Sequence, residues 1–432
     1  MASRRKSSKV ELNKRKIGKR KLSKQKYCGV LFLLCIIIFC FLAVPCFAAD
    51  IADPLFPAAP PPAISARAAV MMDEETGTIL FSKNPTTVIS PASLTKLMTI
   101  HLALRAIRAG KTTPDTIVEL PPESWAENQP PRSSLMFLGR NQTVTLGELL
   151  LGLAVSSGND AAVATALHLA HSIEAFTAMM NAEAGRLGLA SSRFFEPAGI
   201  SPENTTSAAD FARFCQIYLT EHPESLALLH SVPSFAYPLA VNTGTSPSRT
   251  IVQNNRNTLL GRIDGVDGLK TGYITEAGYN IALTGRREGT RLIAVLLGAS
   301  SEDERDRDGE ALLNWGFANF RTLRLEINYI PQTRIWGSKE QYFSLKPGEE
   351  LLTFTVSTSR AGVLQQDTEL FPYLKAPLPA GKEAGTLIIS DEMGELRRIP
   401  LVLEKEAPQS NFFRVLLDSI EMLFKKLLAK LP

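Results

Sequence analysis

Hydrophobic positions in the first half of the chain change from strand-like to helical spacing. Two apolar runs on either side of residues 74–77 predict a β-hairpin. Helical spacing follows over 97–110, 145–157 and 159–188. The last two stretches are separated at Gly158, where polar side chains can point into a cleft. The middle of this region is therefore predicted to be mostly α-helical.

Strand-like patterns return further along the chain. Residues 265–273 read as a strand, and 278–300 read as a hairpin that turns at 286–289 with strands apolar enough to be buried. A closing helix is predicted over 310–320. Strands at both ends of a domain with helices between them imply one antiparallel sheet flanked by helices. The predicted fold class is α/β, of the α+β kind.

The last third of the chain has a different pattern. From about Leu323, short alternating runs with turn residues predict a small all-β domain. After a linker, an apolar helical stripe lies opposite charged positions, which favours an amphipathic helix in a membrane interface. The stripe contains Phe413, Leu416, Leu417, Ile420, Phe424, Leu427, Leu428 and Leu431.

The amino terminus has the order of an export signal. Twelve Lys or Arg against one acid give the first 26 residues a net charge of +11. An uncharged run over 28–47 follows, with small residues before a predicted cleavage site after Ala48. The run is also long enough to span a bilayer if it is retained, and both outcomes remain open.

Removal of this leader changes the charge balance and the cysteine count. With +4 for the whole chain and +11 in the leader, about −7 remains for 49–432, so we expect no nucleic-acid partner. Cys215 is the one cysteine of the mature chain, which excludes an intramolecular disulfide.

The predicted organisation has five parts. They are a signal peptide over 1–48, a proline-rich lead-in over 49–65 that holds the first domain away from the cleavage point, a catalytic domain over 66–322, a β-rich domain over 323–407 and a membrane-associating helix over 408–432.

Three short motifs occur in a suggestive order. Ser93 and Lys96 of "PASLTKLMT" lie one helical turn apart, although two further S-x-x-K matches in the leader make that motif weak alone. "SSGND" follows at the helix break, and "GLKTGY" lies on a predicted strand. The order S-x-x-K, S-x-N, K-T-G on helix start, helix break and strand is unlike a chance match.

This triplet resembles the serine penicillin-recognising enzymes. With "SGNDAAVA", "VDGLKTGY" and "LLNWGF", the chain is similar to the low-molecular-mass penicillin-binding proteins that act as serine D-alanyl-D-alanine carboxypeptidases of peptidase family S11. The resemblance implies a β-lactamase/transpeptidase-like domain without a cofactor or metal. It also implies hydrolysis of the terminal D-alanine of peptidoglycan stem pentapeptides through an acyl-enzyme, with β-lactams as covalent inhibitors.

The chemistry needs a base beside the nucleophile. No histidine lies in these motifs, so Lys96 can remove the proton of Ser93 if its amine is neutral. We expect Lys270 and a positive helix N-terminus to lower the pKa of Lys96. Ser157 would relay the proton toward the leaving amine, and Asn159 would hold either Lys96 or the substrate amide.

Further residues are assigned to substrate and transition-state binding. The helix start supplies the backbone N–H of Ser93 as one oxyanion donor, and the resemblance adds that of Tyr273. Lys270 and Thr271 suit a substrate carboxylate, and Gly272 lets a peptide backbone approach. The resemblance also implies an arginine after the last sheet strand. Alignment on "LLNWGF" selects Arg305, with Arg307 or a merely solvated loop charge as alternatives.

Other functions are weighed against this one. A β-lactamase would need a water-activating carboxylate, and Glu196 lacks the expected surroundings, so we interpret it as a loop residue. A zinc peptidase would need an H-E-x-x-H motif or a comparable cluster, which this sequence lacks. His168 and His171 suit a polar helix edge better than a metal site. A catalytically idle peptidoglycan-binding protein would require a broken motif. The expected location is the periplasmic face of the cytoplasmic membrane, peripherally bound.

Overall fold

The computed structural model describes residues 55–428 apart from 246, 248, 328, 350 and 351. The predicted signal peptide, its cleavage site and the start of the lead-in lie outside the described residues and stay predictions. Within the described part, no helix combines the length and the apolar character needed to cross a membrane.

The described residues contain both strands and helices. The strands are β1 (Ala68–Asp73), β2 (Ile79–Lys83), β3 (Ile117–Val118), β4 (Val144–Thr145), β5 (Ser234–Tyr237), β6 (Ile251–Asn254), β7 (Val266–Ile274), β8 (Gly278–Arg287), β9 (Thr290–Ala299), β10 (Phe320–Arg324), β11 (Thr333–Trp336), β12 (Tyr342–Phe343), β13 (Leu345–Pro347), β14 (Thr353–Ser357), β15 (Gln365–Leu370), β16 (Leu374–Lys375), β17 (Glu383–Asp391) and β18 (Gly394–Leu403). The helices are α1 (Lys96–Arg108), α2 (Leu146–Leu151), α3 (Asn159–Ala170), α4 (Ile173–Leu187), α5 (Ala208–Glu221), α6 (Ala240–Thr243), α7 (Glu302–Asn319) and α8 (Phe412–Leu428).

A five-stranded antiparallel sheet forms the centre of the first domain, in the order β2-β1-β9-β8-β7. Its strands come from residues 68–83 and 266–299, which confirms the predicted sheet built from distant segments. The register sets Val70 opposite Val295. Strand β7, which carries K-T-G, therefore lies at one edge of the sheet.

Both faces of this sheet are covered by helices. In β9, Ile293, Val295 and Leu297 face one apolar core, and the alternate residues face the other. This two-sided burial explains why the strands read as continuous apolar runs. Helix α5 packs on one face of β1 and β9, and α7 packs on the opposite face of β8 and β9.

The helix predicted over 159–188 is interrupted. Helix α3 ends at Ala170 and is followed by His171, whose φ of +61° is left-handed, and α4 begins after Ser172. The Ser172 hydroxyl accepts a hydrogen bond from the Ala175 N–H at 3.0 Å, which is typical N-capping. The prediction of one helix was wrong because apolar periodicity continues on both sides of the cap.

The closing helix begins earlier than predicted. Helix α7 starts at Glu302 and not near 310, because Ser301 caps it by accepting from the Glu304 N–H at 3.2 Å. Acidic residues in its first turn are favourable at a helix N-terminus. The segment expected to be a charged loop is thus the first turn of α7, and Arg305 lies within it.

The described part of the proline-rich lead-in lies along α7. The Ala59 N–H donates to Asn319 Oδ1 at 2.9 Å, and Trp315 Nε1 donates to the Ala59 carbonyl at 2.8 Å. The Ser65 hydroxyl and N–H both donate to Asp308 Oδ2, at 2.9 and 2.8 Å. This part packs on the domain, and the proposed role of the lead-in as a spacer from the cleavage point stays a prediction.

A β-rich region follows α7, as predicted. It contains the four-stranded sheet β13-β18-β17-β15, the three-stranded sheet β12-β11-β16 and the pair β10-β14 around a separate apolar core. Buried Asp73 joins it to the central sheet, because Asp73 Oδ2 accepts from the hydroxyls of Thr322 and Thr355 at 2.6 and 2.8 Å. The domain limits proposed from sequence remain predictions.

Candidate active site

Ser93 lies on a 3₁₀ turn, Ala92–Thr95, that leads directly into α1. Ala92 has a left-handed φ of +50°, an uncommon conformation for a residue with a Cβ and one that is frequent at functional sites. The strand β8 holds the start of this turn, because Asn280 Nδ2 donates to the Ser90 carbonyl at 2.9 Å. Ser93 is partly exposed, whereas its neighbours in the turn are buried.

Lys96 is fully buried and makes three hydrogen bonds. Its Nζ lies 3.0 Å from Ser93 Oγ, 2.8 Å from Asn159 Oδ1 and 2.5 Å from the Ala198 carbonyl oxygen. The amine is therefore held against the serine hydroxyl by groups from α3 and from the loop that contains Ala198. The structure places Asn159 on Lys96, which was one of its two predicted partners.

The environment of Lys96 shifts its ionisation toward the neutral amine. Burial lowers its pKa from 10.5 to about 8, while the carboxylates of Glu196 and Asp160 act in the opposite direction. The direction is the predicted one, and burial is its largest cause. Repulsion between Lys96 and Lys270 is mutual and disfavours a charge on both amines at once.

The helix break supplies the next two residues. A π-helical turn, Gly152–Ser156, ends at Ser157, which has a left-handed φ of +60°. Asn159 then begins α3. Ser157 and Asn159 line the same cleft as Ser93, so the structure brings the first two motifs together.

Strand β7 brings the third motif to the cleft. Thr271 and Gly272 line it, and Lys270 is buried at 1% exposure with its Nζ donating to the Thr271 carbonyl at 2.9 Å. Burial lowers the pKa of Lys270 well below its usual value, and Lys96, Arg256 and Arg305 lower it further. A carboxylate beside Lys270 would raise this pKa again.

Gly272 lies directly against the nucleophile turn. A Cβ at this position would be 2.8 Å from the Pro91 carbonyl oxygen, 3.0 Å from the Ser93 nitrogen and 3.1 Å from the Leu94 nitrogen. The next residue, Tyr273, is half exposed, and its ring centroid lies 4.3 Å from that of Tyr279. The backbone at Gly272 is therefore in close contact with that of Ser93, and both residues and Tyr273 line the cleft.

The cleft has a volume of about 600 Å³. Its wall also contains residues from the loop 130–134, from the segment 199–202 and from the turn between β7 and β8. Arg305 and Glu302, from the first turn of α7, also line it. These dimensions suit the end of a peptide.

The two arginine candidates differ in position. Arg305 lines the cleft and is 3% exposed, with its Nε donating to Asp306 Oδ1 at 2.8 Å and its Nη2 donating to Glu302 Oε1 at 3.0 Å. The Arg307 side chain is 70% exposed and lies 3.9 Å from Glu304. A solvated loop charge therefore describes Arg307 and not Arg305.

Glu196 is engaged by its own loop. Its Oε2 accepts from the Ala198 N–H at 2.7 Å, and its Oε1 accepts from the Ile200 N–H at 2.7 Å and from Asn204 Nδ2 at 2.9 Å. These contacts fit the interpretation of Glu196 as a loop residue.

The sequence interpretation missed two features of the cleft. Arg256 lines it and contributes to the field at Lys270, but "NNRNT" contains no motif that would have identified it. The Ala198 carbonyl contacts Lys96 through the backbone, so its residue type carries no signal.

A second buried polar cluster lies away from the cleft. His101, Glu221 and His222 could offer ligand atoms within 4.8 Å of one another. His101 already contacts Glu183 at 2.8 Å and His222 at 3.0 Å, and Arg105 contacts Glu183 at 2.5 Å. Hydrogen bonds and a guanidinium engage His101 and Glu183, whereas buried His222 Nδ1 has no hydrogen-bond partner among the described residues. The prediction of a metal-free enzyme stays a prediction.

The comparisons with known proteins agree with the geometry of the site. A family model described as D-alanyl-D-alanine carboxypeptidase matches residues 56–301. The D-alanyl-D-alanine carboxypeptidase DacC of Escherichia coli strain K12 is 32% identical over 371 residues, which are 84% of this chain and 89% of that protein.

Solved structures are similar over most of the same length. Penicillin-binding protein 5 from Haemophilus influenzae has a TM-score of 0.70 at 31% identity and covers 81% of this chain and 100% of its own. Penicillin-binding protein D2 from Listeria monocytogenes in its cefotaxime-bound form has a TM-score of 0.52 at 29% identity, covering 60% of this chain and 100% of its own. The resemblance inferred from the three motifs is thereby confirmed, and the chain belongs to the D-alanyl-D-alanine carboxypeptidase family, peptidase family S11.

Proposed function

We propose that the protein removes the terminal D-alanine from peptidoglycan stem pentapeptides through an acyl-enzyme on Ser93. The observation that carries this proposal is the 3.0 Å contact between Lys96 Nζ and Ser93 Oγ in a buried environment. A lysine whose pKa is about 8 has a substantial neutral fraction near neutrality and can accept the serine proton. The name of the matching family supports the substrate class.

In the acylation step, Lys96 takes the hydroxyl proton of Ser93 while Oγ forms a bond to the carbonyl carbon of the penultimate D-alanine. The tetrahedral intermediate collapses as its carbon–nitrogen bond breaks. The leaving amine of the last D-alanine receives a proton, which Ser157 relays from Lys96. Asn159 keeps Lys96 oriented through its 2.8 Å contact.

Two groups of residues bind the substrate in this mechanism. The backbone N–H groups of Ser93 and Tyr273 stabilise the oxyanion, and the close approach of Gly272 to Ser93 supports this pairing. Thr271 and Arg305, which line the cleft, receive the terminal carboxylate together with Lys270, which is buried next to Thr271 on β7. In deacylation, Lys96 takes a proton from the attacking water as the new carbon–oxygen bond forms, the carbon–Oγ bond of the ester breaks, and Lys96 returns that proton to Ser93 Oγ.

Labelling with a fluorescent penicillin tests the acyl-enzyme. We expect a covalent adduct on Ser93 by mass spectrometry, and conversion of a stem pentapeptide to the tetrapeptide plus D-alanine. Lys96→Met should abolish both, whereas Lys111→Met, a change at an exposed lysine, should leave them unchanged. Absence of label would indicate a binding protein, and rapid turnover of penicillin would indicate a β-lactamase.

We also propose that the protein is exported and that α8 holds it peripherally on the membrane. The apolar side of α8 is exposed, and the members of this side are Phe412, Phe413, Leu416, Leu417, Ile420, Leu423, Phe424, Leu427 and Leu428. An apolar side of this size with a cationic end fits a membrane interface.

The polar side of α8 contacts the β domain. Arg334 donates to both carboxylate oxygens of Glu421 at 2.7 Å, and the Gly337 N–H donates to buried Asp418 at 2.8 Å. A helix that is docked through its charged side must present its apolar side outward. This orientation supports the membrane assignment over packing as the last helix of a core.

Vesicle flotation tests this assignment with the chain from residue 49 onward. We expect binding to vesicles of anionic phosphatidylglycerol, and its loss in the Phe413→Ser, Phe424→Ser double variant. Phe371→Ser alters an exposed ring of the β domain outside α8 and serves as the matched control. Equal flotation of the double variant and the control would refute the role of α8.

A further inference from the structure

Glu196 organises a tight loop beside the proposed nucleophile. We call residues 196–204 the Glu196 loop. The carboxylate accepts from the backbone N–H groups of Ala198 and Ile200 at 2.7 Å, from that of Ser201 at 3.3 Å and from Asn204 Nδ2 at 2.9 Å. Four donors on one half-buried carboxylate fix the path of the backbone between them.

The Glu196 loop is joined to α1 at several points. The Pro197 carbonyl accepts from the Thr99 hydroxyl at 2.7 Å, and the next carbonyl, of Ala198, accepts from Lys96 Nζ at 2.5 Å. Asn204 Nδ2 also donates to the hydroxyl of buried Thr95 at 3.2 Å. Consecutive carbonyls can face the same helix only if the turn that contains them is held in one conformation.

The same loop presses on the backbone that precedes Ser93. Gly199 has a left-handed φ of +79°, and a Cβ there would lie 1.9 Å from the Ala92 carbonyl oxygen and 2.9 Å from the Ser93 nitrogen. The peptide after Ala198 is therefore in direct contact with the nucleophile turn. Any shift of the loop would move both the acceptor of Lys96 and the support of Ser93.

We propose that Glu196 is a positioning residue for the Ser93–Lys96 pair: its carboxylate shapes the loop so that the Ala198 carbonyl holds the Lys96 amine beside the serine hydroxyl. The inference rests on the proposed acylation of Ser93. Glu196 contacts neither Ser93 nor substrate in this role, and it acts through the backbone of its own loop.

The charge of Glu196 acts on the ionisation of Lys96, in addition to the effect of its side chain on the loop. The ionisable groups that face Lys96 are Glu196 from the loop, Asp160 from α3 and Lys270 from β7. Glu196 is the larger of the two acidic influences that raise the pKa of Lys96 against the effect of burial. Loss of the Glu196 charge should therefore lower the pKa of Lys96, whereas a shorter side chain at 196 should misplace the Lys96 amine.

Two substitutions separate these effects. Glu196→Gln keeps the length of the side chain but removes the charge, and its NH₂ group must face one of the backbone N–H donors. Glu196→Asp keeps the charge but is too short to reach Ala198 and Ile200 together. Glu203→Gln alters an exposed acid of the same loop and is the matched control.

The experiment measures the rate of acylation by a fluorescent penicillin across pH, together with thermal unfolding of each variant. In the unmodified protein the rate should rise with pH around a midpoint of about 8, because the base must be neutral. Glu196→Gln should show a lower midpoint and a plateau rate reduced about tenfold by misplacement. Glu196→Asp should show the reduced plateau with the original midpoint, and Glu203→Gln should match the unmodified protein.

Other results would overturn the inference. If Glu196→Gln folds and acylates with an unchanged plateau and midpoint, Glu196 does not position the pair. If Glu196→Gln acylates normally and only prolongs the lifetime of the acyl-enzyme, Glu196 activates the water that hydrolyses the ester instead. If Glu196→Gln fails to fold, the plateau rate of acylation of Glu196→Asp decides the question, and an unreduced plateau rate would overturn the inference. Failure of the proposed function is distinct, because the unmodified protein would then show no label on Ser93.

Discussion

Substitution of Gly272 by alanine tests whether strand β7 and the nucleophile turn depend on close backbone contact. The added Cβ would meet three backbone atoms of the turn, at 2.8, 3.0 and 3.1 Å. Ordinary contacts of a Cβ begin near 3.4 Å, so the strand and the turn must separate by up to about 0.6 Å. Backbone atoms cannot rotate away as a flexible side chain can.

This separation acts on the proposed oxyanion site. Removal of one oxyanion donor costs about 10²–10³ in rate, which is about 2.7–4 kcal/mol. A displacement of about half an ångström weakens such a hydrogen bond without removing it. We therefore expect acylation of Gly272→Ala to be about 10- to 100-fold slower, equivalent to about 1.4–2.7 kcal/mol in the activation free energy.

The measurement is the second-order rate of acylation by a fluorescent penicillin, with the free energy of unfolding measured in parallel. Gly185→Ala is the matched control, because Gly185 lies on the exposed side of α4 with no atom near its added Cβ. The control should acylate normally and gain at most about 1 kcal/mol in unfolding free energy. Acylation of Gly272→Ala within twofold of the unmodified protein would refute the reasoning.

Three further predictions concern ionisation and burial. With the pKa of Lys96 at about 8, the acylation rate should rise about tenfold between pH 7 and the plateau above it, and a flat profile would contradict Lys96 as the base. Asp160 accepts from the backbone N–H groups of Met136 and Phe137, so Asp160→Asn should lower the free energy of urea unfolding by about 1–3 kcal/mol; a change below about 0.5 kcal/mol would refute this. Burial raises the pKa of the Cys215 thiol, so iodoacetamide should label it in urea but not in the native protein, and native labelling would disprove its burial.

The fold could be predicted from sequence where burial produces a strong pattern. Strands β8 and β9 are covered on both faces, and their apolar runs predicted buried strands. Ser93 and Lys96 were found because a helix start fixes their spacing to one turn. These features depend on local geometry, which the chain encodes over a few residues.

Other features depend on contacts that no local pattern contains. The start of α7 was misjudged because charged residues at a helix N-terminus resemble a loop in hydrophobicity, although Ser301 is a recognisable cap. The Ala198 carbonyl is a backbone group, and its role depends on a loop shaped by Glu196. The docking of α8 through Asp418 likewise required knowledge of the β domain surface.

The Lys96 amine illustrates why a motif carries chemistry only in a particular environment. At a pKa of 10.5, about one lysine in 3,000 is neutral at pH 7, whereas at about 8 the fraction is about one in ten. The gain of about 300-fold comes from burial, and the helix that carries Lys96 is buried by packing its apolar residues into the core of the domain. The same S-x-x-K letters at 3–6 and 23–26 lie among closely spaced basic residues, with no apolar segment on either side of the first match. The reactivity of the serine is therefore a property of the packed domain, and variants that loosen the core around α1 should lose acylation before they lose the fold.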